Sequence, residues 1–230
     1  MEFCGVFCFT KSEEKMKKHN YHGGYNRYIK RVIDFFVGLV LLILSSPFFL
    51  IIGLIIVIDT GFPVFYKPLR AGYKNKPFRI YKFRTMVKDA DKGDGTTALN
   101  DPRITRSGKI LRKLKLDEIP QLINVINGTM SFIGPRPELL RYTEQYSGDE
   151  KLILEVRPGI TDFSSIEFIN LDEIVGEENP DEMYEKYVLK KKNELRIKYA
   201  QEVSAKTDAS LFITTCLQVL KKAIRVMRKK

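Results

Sequence analysis

The chain has 230 residues, enough for one compact domain and an appendage. Its 39 Lys and Arg against 28 Asp and Glu give a formal net charge of +11, which points to a polyanionic partner: nucleic acid, anionic lipid or phosphorylated substrate. Three scattered cysteines, Cys4, Cys8 and Cys216, argue against a disulfide framework or a zinc site and read as free thiols in a reducing compartment, and the two histidines, His19 and His22, argue against a His-based metal centre.

Residues 1–26 join a short apolar start to a Lys-rich polar stretch. Their order is not that of a cleaved leader, and they read as a flexible or surface-lying segment. The next unit, 27–59, contains the strongest physical signal. From Phe35 to Ile58 there are 24 residues without a charge. As a helix this run would reach about 36 Å, enough for a hydrocarbon core of about 30 Å. It is apolar on every side, unlike the single stripe of a helix packed on a soluble core.

Ser45-Ser46-Pro47 falls at its midpoint. Proline removes a backbone donor and crowds the preceding turn, so a bend is expected, and Ser46 is placed to bond a carbonyl that Pro47 leaves free. Each half is too short to cross alone. Arg27, Lys30 and Arg31 precede the run; Lys67, Arg70, Lys74 and Lys76 follow it. Basic flanks favour the cytoplasmic side, and here both are basic. The sequence therefore predicts a helix that enters, turns at Ser46-Pro47 and leaves by the same face; a kinked spanning helix is the alternative.

Residues 60–206 read as a mixed globular domain. Val64-Phe65-Tyr66 and Phe78-Arg79-Ile80-Tyr81 have the character of short strands, separated by the turn-rich Gly72 to Pro77. Residues 87–101 read as a polar loop, Ile110 to Leu116 as a basic helix, and Pro120 to Ile126 as the start of another. Glu182 to Lys206 is highly charged with apolar positions at helical spacing, and reads as a long surface helix. In 207–230, Ile213, Cys216, Leu217, Leu220, Ile224 and Met227 recur every three or four residues, opposite Lys221, Lys222, Arg225, Arg228 and Lys229. That is a basic amphipathic helix, suited to an anionic membrane surface or to packing on the domain itself.

Three clusters carry chemical potential. In Lys82-Phe83-Arg84-Thr85-Met86, a strand would put Lys82 and Arg84 on one face as a phosphate clamp, or as an ordinary solvated face. In Leu116-Asp117-Glu118-Ile119-Pro120-Gln121, Pro120 marks a helix start. Asp117 is then either an N-cap or, with Glu118, one of two carboxylates at a helix entrance, beside Arg112, Lys113 and Lys115. In Gly134-Pro135-Arg136-Pro137-Glu138, Pro135 and Pro137 fix the backbone around Arg136, which makes either a rigid turn or a preset phosphate-binding guanidinium. Asp101-Pro102-Arg103 offers a further anion contact or a helix cap.

Taken in order over residues 26–166, these elements resemble the bacterial sugar transferases, the small monotopic polyprenyl-phosphate phosphoglycosyl transferases. Leu111-Arg112, Asn124-Val125, Gly128-Thr129-Met130-Ser131 and Pro158-Gly159-Ile160-Thr161 add to the match. The resemblance implies an α+β, mainly helical fold: a re-entrant membrane helix broken at Ser46 and Pro47, and a small catalytic domain with short strands and amphipathic surface helices. It implies Asp117 and Glu118 as the catalytic dyad, with Asp117 the nucleophile, and a Mg²⁺ ion for which Asp117 and Glu118 are the candidate ligands; Glu118 holds the metal or moves a proton. Attack on a charged diphosphate needs positive charge nearby, which makes Arg136, set between Pro135 and Pro137, and Lys82, Arg84 and Arg112 the candidate substrate-binding residues. The donor would be a UDP-sugar and the acceptor undecaprenyl phosphate, at the cytoplasmic face of a bacterial inner membrane, with membrane lipid but no nucleic acid as a partner. Formation of a homo-oligomer stays open. One departure stands out: Asp162-Phe163-Ser164-Ser165-Ile166 follows Thr161, where the family usually continues with Gly and then Gln-Val. It bears on sugar recognition rather than on transfer.

Overall fold

The computed structural model describes residues 20–88, 90, 101–169, 171, 174 and 180–228, the last helix by its backbone alone after Lys221. Cys4, Cys8, His19 and the proposed polar segment before residue 20 lie outside the described residues, as does most of the proposed loop at 87–101. Helices dominate and the strands are short.

Helix α1 runs from Lys30 to Thr60, entered through a wide turn at Tyr25–Ile29. It is one helix long and apolar enough to cross a membrane. Helical structure continues through Pro47. The Ser46 hydroxyl donates to the Ile43 carbonyl at 2.8 Å, which is the carbonyl the proline ring leaves without its amide donor. Exposure along α1 is uneven. Lys30, Asp34 and Gly38 are buried near its start, and Ile52, Gly53 and Ile56 near its end. Leu44 and Leu50 between them are bare, Leu50 with 78% of its surface open.

Both ends of α1 are held by the same globular body. At the start, Arg31 donates to the carbonyls of Val125 and Ile126, and Lys30 is ion-paired with Asp208. At the end, Ile52 and Ile56 pack with Phe83 and Leu111, while the Asp59 carboxylate accepts from the Ser107 hydroxyl at 2.7 Å.

The strands make three two-stranded ladders. β1 (Phe65–Tyr66) pairs antiparallel with β4 (Lys82–Phe83), and β2 (Leu69–Ala71) with β3 (Pro77–Arg79). β2 is a strand the sequence pattern did not predict; Ile80 and Tyr81 fall outside β3. β5 (Ser131–Ile133) and β6 (Gly159–Thr161) are parallel. Between them lie α2 (Arg106–Lys113), α3 (Gln121–Ile126) and α4 (Leu140–Thr143). α5 (Phe163–Glu167), α6 (Pro180–Met183), α7 (Lys190–Glu202) and α8 (Ala205–Arg228) complete the order.

The segment read as a long surface helix differs from that expectation. A wide turn at Tyr184–Leu189 joins α6 to α7, and Val203 and Ser204 separate α7 from α8. Its Tyr184, Val188 and Tyr199 are core residues, and Lys192, Asn193 and Arg196 are buried with them. Each polar group has partners that sequence spacing does not reveal. In α8, Leu211 is buried while Phe212, Ile213, Leu217 and Leu220 are exposed, so only part of the apolar side packs on the domain. Ile224, Met227 and the basic residues after Lys221 lie outside the described side chains.

Candidate active site

The site is built around a tight link between α2 and α3. Thr105 caps α2, its hydroxyl oxygen accepting from the Gly108 amide at 2.9 Å. Gly108 is required there: a Cβ would sit 2.1 Å from the Thr85 carbonyl oxygen. After α2, Lys115 adopts a left-handed conformation (φ 58°), uncommon for a residue with a side chain. It turns the chain into the single 3₁₀ turn Leu116–Glu118. Leu116 points to the cluster around Phe83, and the two acids after it face the domain interior.

Asp117 is 8% exposed. Its Oδ1 is buried without a hydrogen-bond partner, so it does not cap the helix that follows. Burial, then the charge of Glu118, raises its pKa above the ordinary carboxylate value; Lys82, Arg112 and Lys115 oppose that shift. Glu118 is partly buried, but the guanidinium of Arg136 and the ammonium of Lys82 outweigh its desolvation and hold it well below the carboxylate range. Lys82 Nζ lies 3.1 Å from Glu118 Oε1. Arg136 Nη1 donates to Glu118 Oε2 at 3.2 Å, and Nη2 donates to Oε1 in a closer bond. Adjacent in sequence, the two carboxylates are therefore driven in opposite directions: Glu118 is neutralised by a cation on each side, while Asp117 keeps a bare oxygen.

Arg136 reaches Glu118 because of how β5 and β6 meet. A Cβ on Gly159 would lie 2.1 Å from the Gly134 amide nitrogen, so the two backbones touch only as glycines. The Gly134 amide donates to the Thr161 carbonyl at 2.9 Å, and the Gly159 amide to Pro135 at 3.0 Å. Pro135 and Pro137 then fix the turn, and Arg136 Nη1 also donates to the Ile160 carbonyl at 3.2 Å.

Of the residues singled out from sequence, Lys82, Asp117, Glu118 and Arg136 are brought together. Arg112 stands at the edge, donating through Nε to the Thr85 hydroxyl at 2.8 Å and contributing its charge to Asp117. Arg84 is directed elsewhere. Strand β4 ends at Phe83, so the period-two rule no longer aligns Arg84 with Lys82. Arg84 instead caps the end of α1, donating to the Thr60 hydroxyl at 2.6 Å, the Thr60 carbonyl at 3.1 Å and the Gly61 carbonyl. Arg103 is held by the Asp101 carboxylate, its Nε at 2.9 and 3.1 Å from the two oxygens. The Asp162 departure is a buried helix cap: its Oδ1 accepts from the Ser165 amide at 2.7 Å and its carboxylate from the Ser164 hydroxyl.

A cavity of about 160 Å³ opens beside the dyad. Lys82 and Arg136 form one wall, and Arg70, Glu138, Tyr184, Lys192 and Arg196 line it elsewhere. Glu138 Oε2 accepts from Arg196 Nη2 at 3.0 Å and from the Tyr184 hydroxyl at 2.5 Å. The residues from α7 were hidden in a charged run. The signal that could have exposed them is Tyr184, Val188 and Arg196 recurring at spacings of four and eight.

The family model described as bacterial sugar transferase matches residues 25–222. The uncharacterized sugar transferase EpsL of Bacillus subtilis is 39% identical over 138 residues, 60% of this chain and 68% of that one. The UDP-glucose:undecaprenyl-phosphate glucose-1-phosphate transferase of Escherichia coli is 40% identical over 147 residues, 62% of this chain and 32% of its own. The exopolysaccharide production protein ExoY of Rhizobium meliloti is 39% identical over 148 residues, 57% and 66% of the two chains. The matched region thus spans about two thirds of the shorter relatives and a third of the E. coli protein. With a match over most of its length, and with Lys82, Asp117, Glu118 and Arg136 gathered beside one apolar helix, the chain belongs to the bacterial sugar transferase family, and it is a transferase.

Proposed function

We propose that the chain moves a sugar 1-phosphate from a UDP-sugar to undecaprenyl phosphate, releasing UMP, as the first membrane step of surface-polysaccharide or glycoconjugate assembly. The observation that carries this reading is the buried, unpartnered Asp117 Oδ1 beside a Glu118 already neutralised by Lys82 and Arg136. In the first step Asp117 attacks the sugar-bearing phosphorus. A carboxylate O–P bond forms, the P–O bond to the nucleotide breaks, and UMP leaves with that electron pair. In the second step an oxygen of the lipid phosphate attacks the same phosphorus and Asp117 departs as carboxylate. Arg136 and Lys82 supply positive charge where the phosphoryl oxygens gather it.

A magnesium ion fits this donor set. Mg²⁺ binds through one or two carboxylates, completing its shell with water and substrate phosphate oxygens. Asp117 Oδ1 is a free oxygen donor, and Glu118 is its neighbour. Among the described residues no group of three acidic, His or Cys side chains forms a fuller cage. When bound, the ion supplies further charge neutralisation at the diphosphate.

Membrane association follows from the apolar α1, and we place the catalytic domain on the cytoplasmic face of a bacterial inner membrane. The re-entrant path is supported by α1 being gripped at both ends by one globular body and bare in the middle. A spanning helix would carry one of those grips to the far side of the bilayer.

The test is a screen of UDP-sugars for UMP release by the purified chain in detergent with undecaprenyl phosphate. Full activity in Asp117→Asn would reject the covalent route. For topology, single cysteines at Tyr28 and Phe62, both exposed beyond the apolar run, are labelled from each side of sealed vesicles after Cys4, Cys8 and Cys216 are replaced. Labelling from opposite sides would reject the re-entrant helix.

A further inference from the structure

The cavity beside the dyad contains a charge that the proposed chemistry does not use. Its lining holds five cations, Arg70, Lys82, Arg136, Lys192 and Arg196, against one carboxylate, Glu138. Three of the five have an acid: Lys82 and Arg136 share Glu118, and Arg196 pairs with Glu138. Arg70 is a half-exposed group on β2. Lys192 is the exception. It is 6% exposed, and among the described residues no carboxylate stands within ion-pair distance of it. Its hydrogen bond there is to the Tyr184 hydroxyl at 3.3 Å, and its ammonium lies 4.8 Å from the centre of the Tyr184 ring. Glu138 acts on it only as a charge at longer range, its oxygens meeting Arg196 and Tyr184 at Oε2 and the Leu139 amide at Oε1.

A buried ammonium without a counter-ion is costly, and an anion entering the cavity would relieve that cost. Most of the cavity's lining comes from the β2 strand, the turn after β5, α4 and α7; Lys82 of β4 and Gln121 of α3 join it to the elements that pack on α1. Its volume is about 160 Å³, and two of its lining residues, Lys82 and Arg136, are the partners of Glu118.

Resting on the transferase reading above, we propose that Lys192 is a donor-recognition residue: its ammonium takes an anionic oxygen of the donor that does not belong to the attacked phosphoryl group. That oxygen comes either from the nucleotide's own phosphate or from a carboxylate on the sugar. Tyr184 holds the ammonium in place through its hydroxyl and ring, and Arg196 spends Glu138 so that the charge stays available. The neighbours agree with an amine poised to bind an anion. Burial first, then Arg196 and Arg136, push Lys192 down to about 7, while Glu138 and Asp162 push it up; Tyr184 is the other titratable contact. An arriving anion would restore full protonation.

The experiment measures binding of UMP, UDP-glucose and UDP-glucuronate by calorimetry to the detergent-purified full chain, as wild type, Lys192→Gln and Lys192→Arg, with thermal melting as the fold control. A hydrogen bond to a charged group predicts a loss of about ten- to a hundredfold in affinity for Lys192→Gln, with Lys192→Arg within a few fold of wild type. If UMP shows that loss, the nucleotide phosphate is the partner. If UMP is unaffected but wild type prefers UDP-glucuronate to UDP-glucose and Lys192→Gln does not, the sugar carboxylate is the partner. Wild-type affinity of Lys192→Gln for all three probes overturns the proposal. Should the variants not fold, Lys192 of the wild type is acetylated at pH 8 and quantified by mass spectrometry. Protection by a saturating probe supports the assignment, and unchanged modification with every probe overturns it. Turnover of a UDP-sugar with unchanged KM in Lys192→Gln would reject this inference and leave the transferase reading intact. Lys192-dependent UMP binding in a chain that turns over no UDP-sugar would do the reverse.

Discussion

Replacing Arg136 tests both the architecture and the chemistry of the site. Arg136→Met removes two hydrogen bonds to Glu118 and one to the Ile160 carbonyl. It leaves a carboxylate only 13% exposed with Lys82 as its remaining cation. Breaking a buried pair by removing one partner costs about 3–5 kcal/mol. The Arg136 side chain is 31% exposed and Lys82 stays at 3.1 Å, so about 2–3 kcal/mol is expected here. For a chain of this size that lowers the thermal midpoint by about 5–10 °C. Loss of one preorganised cationic donor lowers kcat by about 10²–10³. Arg136→Lys keeps the charge but not the two-pronged geometry and falls between.

The stability difference has a pH signature. Arg136 and Lys82 depress the Glu118 pKa, so their stabilisation is complete above the unfolded carboxylate pKa of about 4.5 and is lost as pH falls toward the folded value. The gap in midpoint between wild type and Arg136→Met is therefore wide at pH 7 and narrows below about pH 4.5. Circular-dichroism melts across pH, together with UMP release, measure both effects. An Arg136→Met protein with wild-type midpoint and kcat would refute the assignment.

Asp117→Asn should lose on the order of 10³ or more in UMP release while keeping its fold, because a neutral side chain removes the desolvation that raises Asp117. As nucleophile Asp117 must be ionised, so the acid limb of the kcat/KM profile should lie above the ordinary Asp pKa of about 4 and move down in Glu118→Gln; a limb fixed at that value in both would contradict it. Ser46→Ala strands the Ile43 carbonyl and should cost about 1 kcal/mol, read as a lower midpoint in bilayer nanodiscs; no change would mean the 2.8 Å bond carries nothing. Gly159→Ala should abolish activity and reduce folded yield, since its Cβ would collide with the Gly134 amide and displace Arg136; a fully active variant would show that β5 and β6 can separate without harm.

Asp117, Glu118, Lys82 and Arg136 were legible in the sequence because each sits in a cluster where local backbone, proline or a helix entrance constrains it. The shared face of Lys82 and Arg84 is not realised for a local reason: alternation holds only while a strand lasts, and β4 stops one residue short of Arg84. The run from Glu182 to Lys206 reads as a surface helix because charge is visible in sequence and partners are not. Arg196 is 1% exposed because Glu138, distant in the chain, neutralises it. The Ser46 contact was readable since both its atoms lie within one turn. The β2–β3 ladder was not, since residues 69–71 alone have too little alternation to announce a strand. Asp162, noted as a departure, proved to be a cap whose oxygens are occupied by the two serines that follow it.

The two grips on α1 give the site a mechanical linkage. The start of the helix is fastened to α3 through Arg31, and its end to α2 through Asp59 and the packing of Ile52 and Ile56. Asp117 and Glu118 lie in the short turn that joins α2 to α3. The carboxylates thus lie between the two points at which α1 is fastened to the domain. On the re-entrant path proposed above, a bilayer that bends α1 at Pro47 would pull on α2 and α3 together, and so on the turn that carries Asp117 and Glu118.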